Sequence, residues 1–582
     1  MVSVFKTLRA KCFSLILCSG FFIKNEFMKQ YSSKRNIQIL AHILKQYGIN
    51  HIVLSPGSRN APIAVHFSED DFHCYSIVDE RSAAFVGLGM AKGLHKPVAL
   101  SCTSGSAATN YYPAVVEAFY QNVPLLILTA DRPENFIDIF DGQTIRQKNL
   151  FHQHSYGDFQ MKEDQEPDAD EYNFETVKKA VELCIEKQGP VHINIPLTEP
   201  LYEMVSELLP MPEIEKHVPE NNFELPSNVI AEWNTSKRIM ILLGTLDPSP
   251  ELNVLLEQLV KNHSAVVLTE VNSNQYHPKF FNHIDRYIFD FTEEDFAKYA
   301  PDLLITVGQN VVSKKVKQFL RKAAPVHHWH IDPYWQPDTY FVLTEKITVD
   351  YETFFSQLVK RVNLEPQAYF NLWDTRRDKM DAKHEAYVNQ VNFSDFMVFR
   401  DLAESIPENY SVHVSNSSAI RYAQLFNFSE KHEVYCNRGT SGIDGCTSTA
   451  MGFAMMDENP VVLLTGDLSF FYDINGLWNK YIPPYTRIII INNGEGNIFR
   501  IIPGPEDTNA IGEYIATSHK MNASNLAKHF KFDYFQVETK DEFHRSLENF
   551  FKPSTQPKIL ELNTREEDNA DVLKEYFKFL TS

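Results

Sequence analysis

Short, uninterrupted apolar runs recur along this chain, each followed by a polar or Gly-containing turn and a helical stretch. A strand with one face in water alternates apolar with polar residues. A continuous run instead suits a strand covered on both faces, the condition of a parallel sheet flanked by crossover helices. Runs at 51–54, 98–102, 125–129 and 191–196 form a first group, with helical stretches such as 37–44 and 82–91 between and before them. Runs at 239–244, 265–268 and 303–308 form a second group, which fades after 347–349. Runs at 411–414, 461–467 and 488–493 form a third. The expected fold class is α/β, with three consecutive doubly wound parallel-sheet domains. A chain of 582 residues is long enough for that number of cores. The Pro- and Glu-rich stretch 210–226 reads as a linker, and the charged helical stretch 371–388 opens the last domain. The expected domains are therefore 28–208, 227–370 and 371–582, with 209–226 as linker.

With 43% hydrophobic and 22% charged residues the chain has a globular composition, which excludes disorder as its main state. Its 55 Lys+Arg against 75 Asp+Glu give a net charge of −20. That argues against nucleic acid as a partner, because duplex binding rests on a basic face that neutralises phosphates. A few arginines in one pocket still reverse the local field for an anionic small molecule. The seven cysteines contain no CxxC pair, so reduced thiols in a cytoplasmic protein are expected. Residues 1–27 stand apart: Lys6, Arg9 and Lys11 precede an apolar run at 12–18 that resembles a signal peptide but is too short to span a bilayer. A disordered or non-native extension is expected there, and no other stretch has the length for stable membrane insertion.

The strongest motif lies in the third group. One strand ends in Thr465-Gly466-Asp467-Leu468-Ser469, and 26 positions after Asp467 the next ends in Asn492-Asn493. Both polar ends then fall at the carboxyl edge of neighbouring parallel strands, where α/β folds bind ligands. A carboxylate and an amide oxygen there suit a hard divalent cation that bridges to phosphates, with a helix after Ser469 aiming its N-terminal amides at them. The bland alternative is a pair of ordinary helix caps, which the paired spacing disfavours. In the first group, Glu80 of Val78-Asp79-Glu80-Arg81 opens a Gly/Ala-rich helix. It reads either as a carboxylate favourable to the helix dipole or as a carboxyl in an apolar setting that holds a proton against a heterocycle nitrogen. The following Gly87-Leu88-Gly89 has its glycines inside the helix rather than at its opening turn, which points to close helix packing and away from a dinucleotide site.

Several loops carry groups suited to carboxylates: Ser58-Arg59 and Arg132 at strand ends, Gln143, Lys314, Ser417 with Arg421 four residues on, and Arg438. Arg favours planar bidentate recognition of carboxylates. Each alone reads as a surface ion pair; together they predict a pocket for a polyanionic small molecule. His327-His328-Trp329-His330 lies on an apparent strand and lacks a fourth ligand, so structural histidines are expected there rather than zinc.

With these residues in view, the chain resembles thiamine-diphosphate-dependent enzymes. More narrowly, SPGSRNAPIA (55–64), VDERSAAF (78–85), TSGSAATNYYPAVVEA (103–118), LTADRP (128–133), GQTIRQ (142–147) and NRGTSGIDG (437–445) resemble the 2-succinyl-5-enolpyruvyl-6-hydroxy-3-cyclohexene-1-carboxylate (SEPHCHC) synthase family of the menaquinone pathway. The resemblance runs from about residue 28 to the C-terminus. It implies a pyrimidine-binding first domain and a diphosphate- and metal-binding third domain. The implied cofactors are thiamine diphosphate and Mg²⁺ or Mn²⁺, with the metal on Asp467, Asn493 and the backbone carbonyl of Glu495, and Ile443 beneath the cofactor. Glu80 would hydrogen-bond the pyrimidine N1′ and exchange a proton there. The implied substrates are 2-oxoglutarate and isochorismate. Their carboxylates would be held by Ser58, Arg59, Arg132, Gln143, Lys314, Ser417, Arg421 and Arg438, with Phe499 walling the pocket. The implied assembly is a homodimer or homotetramer with active sites between subunits. An acetolactate synthase-like carboligase is the alternative enzyme, disfavoured by the Arg-rich loops. A non-catalytic cofactor-binding relative is the alternative outside enzymes, disfavoured by Glu80 together with Asp467 and Asn493.

Overall fold

The apolar runs form three separate all-parallel sheets. In the computed structural model, residues 29–69, 71–216, 223–502, 504–565 and 568–582 are described. The expectation for residues 1–27 lies outside the described residues, as does the part of the linker at 217–222.

The first sheet has six strands in the spatial order His73–Ser76, His51–Leu54, Val98–Cys102, Leu125–Asp131, Val191–Pro196, Asp158–Gln160. The third sheet has six in the order Val434–Tyr435, Ser411–Val414, Val461–Gly466, Arg487–Asn492, Lys558–Asn563, Asp533–Val537. Numbered within each sheet along the chain, both read 2-1-3-4-6-5, so the first and third domains share one winding. The middle sheet has five strands and reads 2-1-3-4-5, from Val266–Leu268 at one edge to Glu345–Ile347 at the other. A two-residue pair, Tyr31–Ser32 with Met204–Val205, is antiparallel and ties the start of the first domain to its end.

Burial explains why continuous runs made these sheets. In the first domain Ile52, Leu126 and Leu128 join one apolar core, while Val53, Leu125 and Ile127 join another. Alternate residues of the same strands therefore enter cores on opposite faces, which is why the runs are continuously apolar. A single core runs through the middle and third domains, from Leu225 to Leu580. The long helix Ala368–Val388 buries Trp373, Met380 and Val388 within it. Five described cysteines, Cys74, Cys102, Cys184, Cys436 and Cys446, are free. Among the described residues no helix is long and apolar enough to cross a membrane.

The first and third domains touch through two helices, Glu80–Leu94 and Cys446–Ala454. A Cβ at Gly89 would collide with the carbonyl oxygen of Thr449, and one at Gly452 with that of Val86. The glycines inside the first helix thus serve helix packing, as their position in the sequence indicated. We expect Gly452→Ala to destabilise the protein by about 2 kcal/mol, within the range for overpacking against a rigid backbone. A denaturant midpoint equal to that of the parent protein would contradict this packing.

Candidate active site

In the third sheet the connections run one way from Ser411–Val414 and the other way from Val461–Gly466, which opens a crevice between their carboxyl ends. Ser415, Asn416 and Ser417 emerge on one side of it and Asp467 on the other. Asp467 is only 2% exposed. Its Oδ1 accepts from the Leu468 N–H and its Oδ2 from the Gly494 N–H, each at 2.7 Å. The second bond joins the two polar strand ends that the sequence placed 26 positions apart. His519 Nε2 stands 3.4 Å from the same Oδ2.

Asn493 is fixed through its Nδ2, which donates to Asp395 Oδ2 at 2.8 Å. Burial pushes the Asp395 carboxyl up to about 6, against the hydrogen bonds from Thr564 and Asn493 that favour its charged form. The Asn493 Oδ1 receives a single contact of 3.4 Å, from the Glu495 N–H, and so keeps acceptor capacity. The Glu495 carboxylate is engaged by Arg500 and by Ser518 Oγ, the latter at 2.9 Å. The Glu495 backbone carbonyl accepts from the Asn497 N–H at 2.9 Å and keeps a second lone pair for a ligand. One buried carboxylate and two neutral oxygens form a donor set suited to a hard divalent cation with phosphate completing its shell. Among the described residues no group of three or more His, Cys, Asp or Glu is placed to hold a metal ion, the stretch His327-His328-Trp329-His330 included. The expected helix after Ser469 instead begins at Asp467 and ends at Tyr472, because Asp467 takes the first helical position.

Ile443 sits on the loop 437–445, and its carbonyl accepts from Ser469 Oγ at 2.8 Å. Asn416, which sequence reasoning passed over, organises that loop. Its Nδ2 donates to the carbonyls of Asn437 and Gly442 at 2.5 and 2.7 Å, and its Oδ1 accepts from Arg438 Nη1 at 2.9 Å. Ser417 and Arg421 were expected on one helical face. The helix begins at Ser418, however, and Ser417 precedes it with a φ of 72°, so Ser417 enters the crevice from the turn. Burial lowers the Arg421 guanidinium, Asp285 opposes that shift and Arg438 adds to it, which places the two arginines in one electrostatic neighbourhood. Lys314 is exposed at the start of the helix Lys314–Ala323. One turn on, Lys317 Nζ donates to Asn310 Oδ1 at 2.9 Å, and Asn310 Nδ2 donates to the Arg438 carbonyl at 3.1 Å. The middle domain thereby reaches the Arg438 segment. Phe499 lies half-buried in the short helix Ile498–Ile501 that follows the Asn493 loop.

A second cationic group forms at the carboxyl edge of the first sheet. Arg59 is buried, donating through Nη1 to the Leu197 carbonyl at 2.8 Å, with Nη2 3.3 Å from Glu199 Oε1. Arg132 donates through Nε to the Gly142 carbonyl at 2.9 Å and pairs with Asp141 at 3.0 Å. Burial, then the like charge of Arg132, pulls the Arg59 guanidinium below its ordinary value. Gln143 is exposed in the turn that Arg132 holds, and Ser58 is exposed directly before Arg59. Gln147, which the sequence marks only as the end of GQTIRQ, knits these loops: its Oε1 accepts from the Gly105 N–H at 2.9 Å and its Nε2 donates to Asn194 Oδ1 at 3.0 Å.

Glu80 is the first residue of the helix Glu80–Leu94, half-buried, and its charge acts on the buried Cys102 and Tyr111. Its neighbours fasten it to the third domain of the same chain. Asp79 caps the helix on the Ser82 N–H at 3.1 Å and accepts from Asn475 Nδ2 at 2.6 Å, while Arg81 donates to the Tyr472 carbonyl at 2.8 Å. Within the chain, no hydrogen bond or ion pair among the described residues joins Glu80 to Asp467, or the Arg59–Arg132 group to the Arg421–Arg438 group.

Comparison with known proteins agrees with this geometry. Residues 35–160 match the family model "Thiamine pyrophosphate enzyme, N-terminal TPP binding domain", and residues 416–562 match "Thiamine pyrophosphate enzyme, C-terminal TPP binding domain"; thiamine pyrophosphate is another name for thiamine diphosphate. A solved Mycobacterium smegmatis structure described as a thiamin diphosphate-dependent enzyme superposes with a TM-score of 0.65 at 16% identity, covering 91% of this chain and 99% of that one, which supports the fold. Proteins named 2-succinyl-5-enolpyruvyl-6-hydroxy-3-cyclohexene-1-carboxylate synthase are similar over nearly the whole length. The one from Flavobacterium johnsoniae is 45% identical over 94% of this chain and 98% of its own. That from Christiangramia forsetii is 43% identical over 92% and 96%, and that from Bacteroides thetaiotaomicron 35% identical over 94% and 99%. Likeness of this extent, on a fold whose first and third domains both match thiamine pyrophosphate-binding models, places the chain in the SEPHCHC synthase family of thiamine pyrophosphate enzymes.

Proposed function

We propose that this chain is a transferase that decarboxylates 2-oxoglutarate and adds the remaining succinyl unit to isochorismate, releasing CO₂ and forming SEPHCHC in menaquinone biosynthesis. The observation that carries the reading is the pair of arginine groups, Arg59 with Arg132 and Arg421 with Arg438, at the carboxyl edges of the first and third sheets. Both substrates are dianions, and fixed guanidinium groups suit them. Bound thiamine diphosphate supplies the electron sink that lets a 2-oxoacid lose CO₂ and its former carbonyl carbon act as a nucleophile.

The chain's own residues bind and orient. Asp467, Asn493 and the Glu495 carbonyl would hold Mg²⁺ or Mn²⁺, which would neutralise the diphosphate, and Ile443 would support the cofactor. Glu80 holds and exchanges a proton at the pyrimidine N1′, a general acid–base role. Ser58, Arg59, Arg132 and Gln143 bind carboxylates from the first domain. Lys314, Ser417, Arg421 and Arg438 bind them from the other side, and Phe499 walls the pocket. The two groups belong to one site when two copies associate, so the working form is a homodimer or homotetramer. Free cysteines suit the reducing cytoplasm.

Arg421→Ala and Arg438→Ala are expected to lower kcat/KM roughly 10- to 150-fold each, the equivalent of about 1.5–3 kcal/mol for a charge-assisted bond to a carboxylate. Thiamine diphosphate affinity should stay near that of the parent protein. In competition the parent protein should prefer 2-oxoglutarate to pyruvate, because the shorter acid leaves a cation unpaired. Preference for pyruvate, or unchanged kinetics in both variants, would favour an acetolactate synthase-like activity instead.

A further inference from the structure

Glu117 is 1% exposed and has no place in the set of residues described above. It belongs to the helix Tyr112–Gln121 of the first domain, but three of the four donors it accepts from lie in the third. Its carboxylate accepts from the Gly439 N–H at 2.8 Å, the Thr440 N–H at 2.7 Å and the Thr440 hydroxyl at 2.5 Å. A fourth donor, Gln121 Nε2, stands at 2.5 Å. Gly439 and Thr440 follow directly after Arg438. A Cβ at Gly439 would stand 2.6 Å from the Glu117 carbonyl oxygen, so the approach requires glycine there. The middle domain holds the same segment through Asn310, and the third domain holds the Arg438 side chain through Asn416. Arg438 therefore sits where all three domains meet, and the first domain's grip on it is a single carboxylate. Two backbone amides bonded to an anion form charge-assisted bonds, stronger and more directional than neutral ones.

We propose that Glu117 is a positioning residue for Arg438: by clamping the amides of Gly439 and Thr440 to the first domain, it sets the place at which the guanidinium meets a substrate carboxylate. The inference rests on the reading of Arg438 as a substrate-binding cation. Recognition of a carboxylate by a planar guanidinium is geometrically narrow, so a slackened segment loses substrate affinity. Asp467 and Asn493, just beyond the ends of other strands, keep their own partners and are unaffected. Glu117→Gln preserves shape but turns an NH₂ group toward amides that need an acceptor.

The test measures kcat and KM for 2-oxoglutarate and isochorismate in the full-length protein with thiamine diphosphate and Mg²⁺, for the parent, Glu117→Gln, Arg438→Ala and the double variant. Glu117→Gln should raise KM about fivefold to tenfold for the same substrate that Arg438→Ala affects, with kcat within about twofold and cofactor affinity unchanged. In the Arg438→Ala background it should add nothing, because its effect passes through the missing side chain. If Arg438→Ala leaves both KM values unchanged, the substrate reading fails and the inference with it. If Arg438→Ala raises KM while Glu117→Gln does not, or if the two effects multiply in full, the positioning role alone is overturned. Should Glu117→Gln fail to fold, Thr440→Val removes one of the donors and is judged by the same criteria, with a KM rise of about twofold to threefold expected.

Discussion

Asp467→Ala is expected to abolish Mg²⁺-dependent binding of thiamine diphosphate while leaving the chain folded. Asp467 is the one carboxylate in the donor set; Asn493 and the Glu495 carbonyl are neutral. Removing it leaves a divalent cation and a diphosphate without their anionic anchor. Even partners one shell away from a metal cost 10- to 100-fold, so the loss of a direct ligand should weaken apparent cofactor affinity by about 100-fold or more. The substitution also frees the Gly494 N–H, which now bonds to Asp467 Oδ2, and loosens the hold between the two strand ends. Calorimetry that returns the parent affinity for this variant would overturn the metal assignment.

Glu80→Gln is expected to separate chemistry from binding. The amide keeps the size of the carboxyl and sits at the same helix start, but it does not exchange a proton with N1′. Turnover should fall by about 10²- to 10⁴-fold while cofactor affinity is retained. Steady-state rates near those of the parent would remove Glu80 from the mechanism. The same variant tests the shared site. Glu80 has no bond to Asp467 within the chain, and both are proposed to serve one cofactor from different copies. Mixing Glu80→Gln chains with Asp467→Ala chains should then restore part of the activity, because a heterodimer holds one intact site. No restoration after demonstrated subunit exchange would place both residues on the same copy.

The sequence made the central strands legible and the edges less so. Val461–Gly466 and Arg487–Asn492 are continuous apolar runs because helices cover both of their faces. Asp158–Gln160, Val434–Tyr435 and Asp533–Val537, all at sheet edges, were missed, and so was the interior strand Lys558–Asn563, where Lys558 and Glu561 break the apolar run. The first and third of the edge strands are partly exposed and mix polar with apolar residues, and the second is only two residues long. The link between Asp467 and the Asn493 loop followed from spacing, since adjacent parallel strands bring their carboxyl ends together. Glu117 and Asn416 left no such local trace. Glu117 finds its partners 322 and 323 positions away, in another domain, and only the packed fold shows them. Ser417 illustrates the limit from the other side. A four-residue spacing to Arg421 implies a shared helical face, but a positive φ at Ser417 starts the helix one residue later and presents it from a turn.

The central claim is the joining of two particular dianions. Purified protein should be incubated with thiamine diphosphate, Mg²⁺, 2-oxoglutarate and isochorismate, and the products identified by mass. A product with the mass of SEPHCHC is expected, formed with one CO₂ per product and only when both substrates are present. Consumption of 2-oxoglutarate with no isochorismate-derived product, or carboligation with pyruvate in its place, would contradict it.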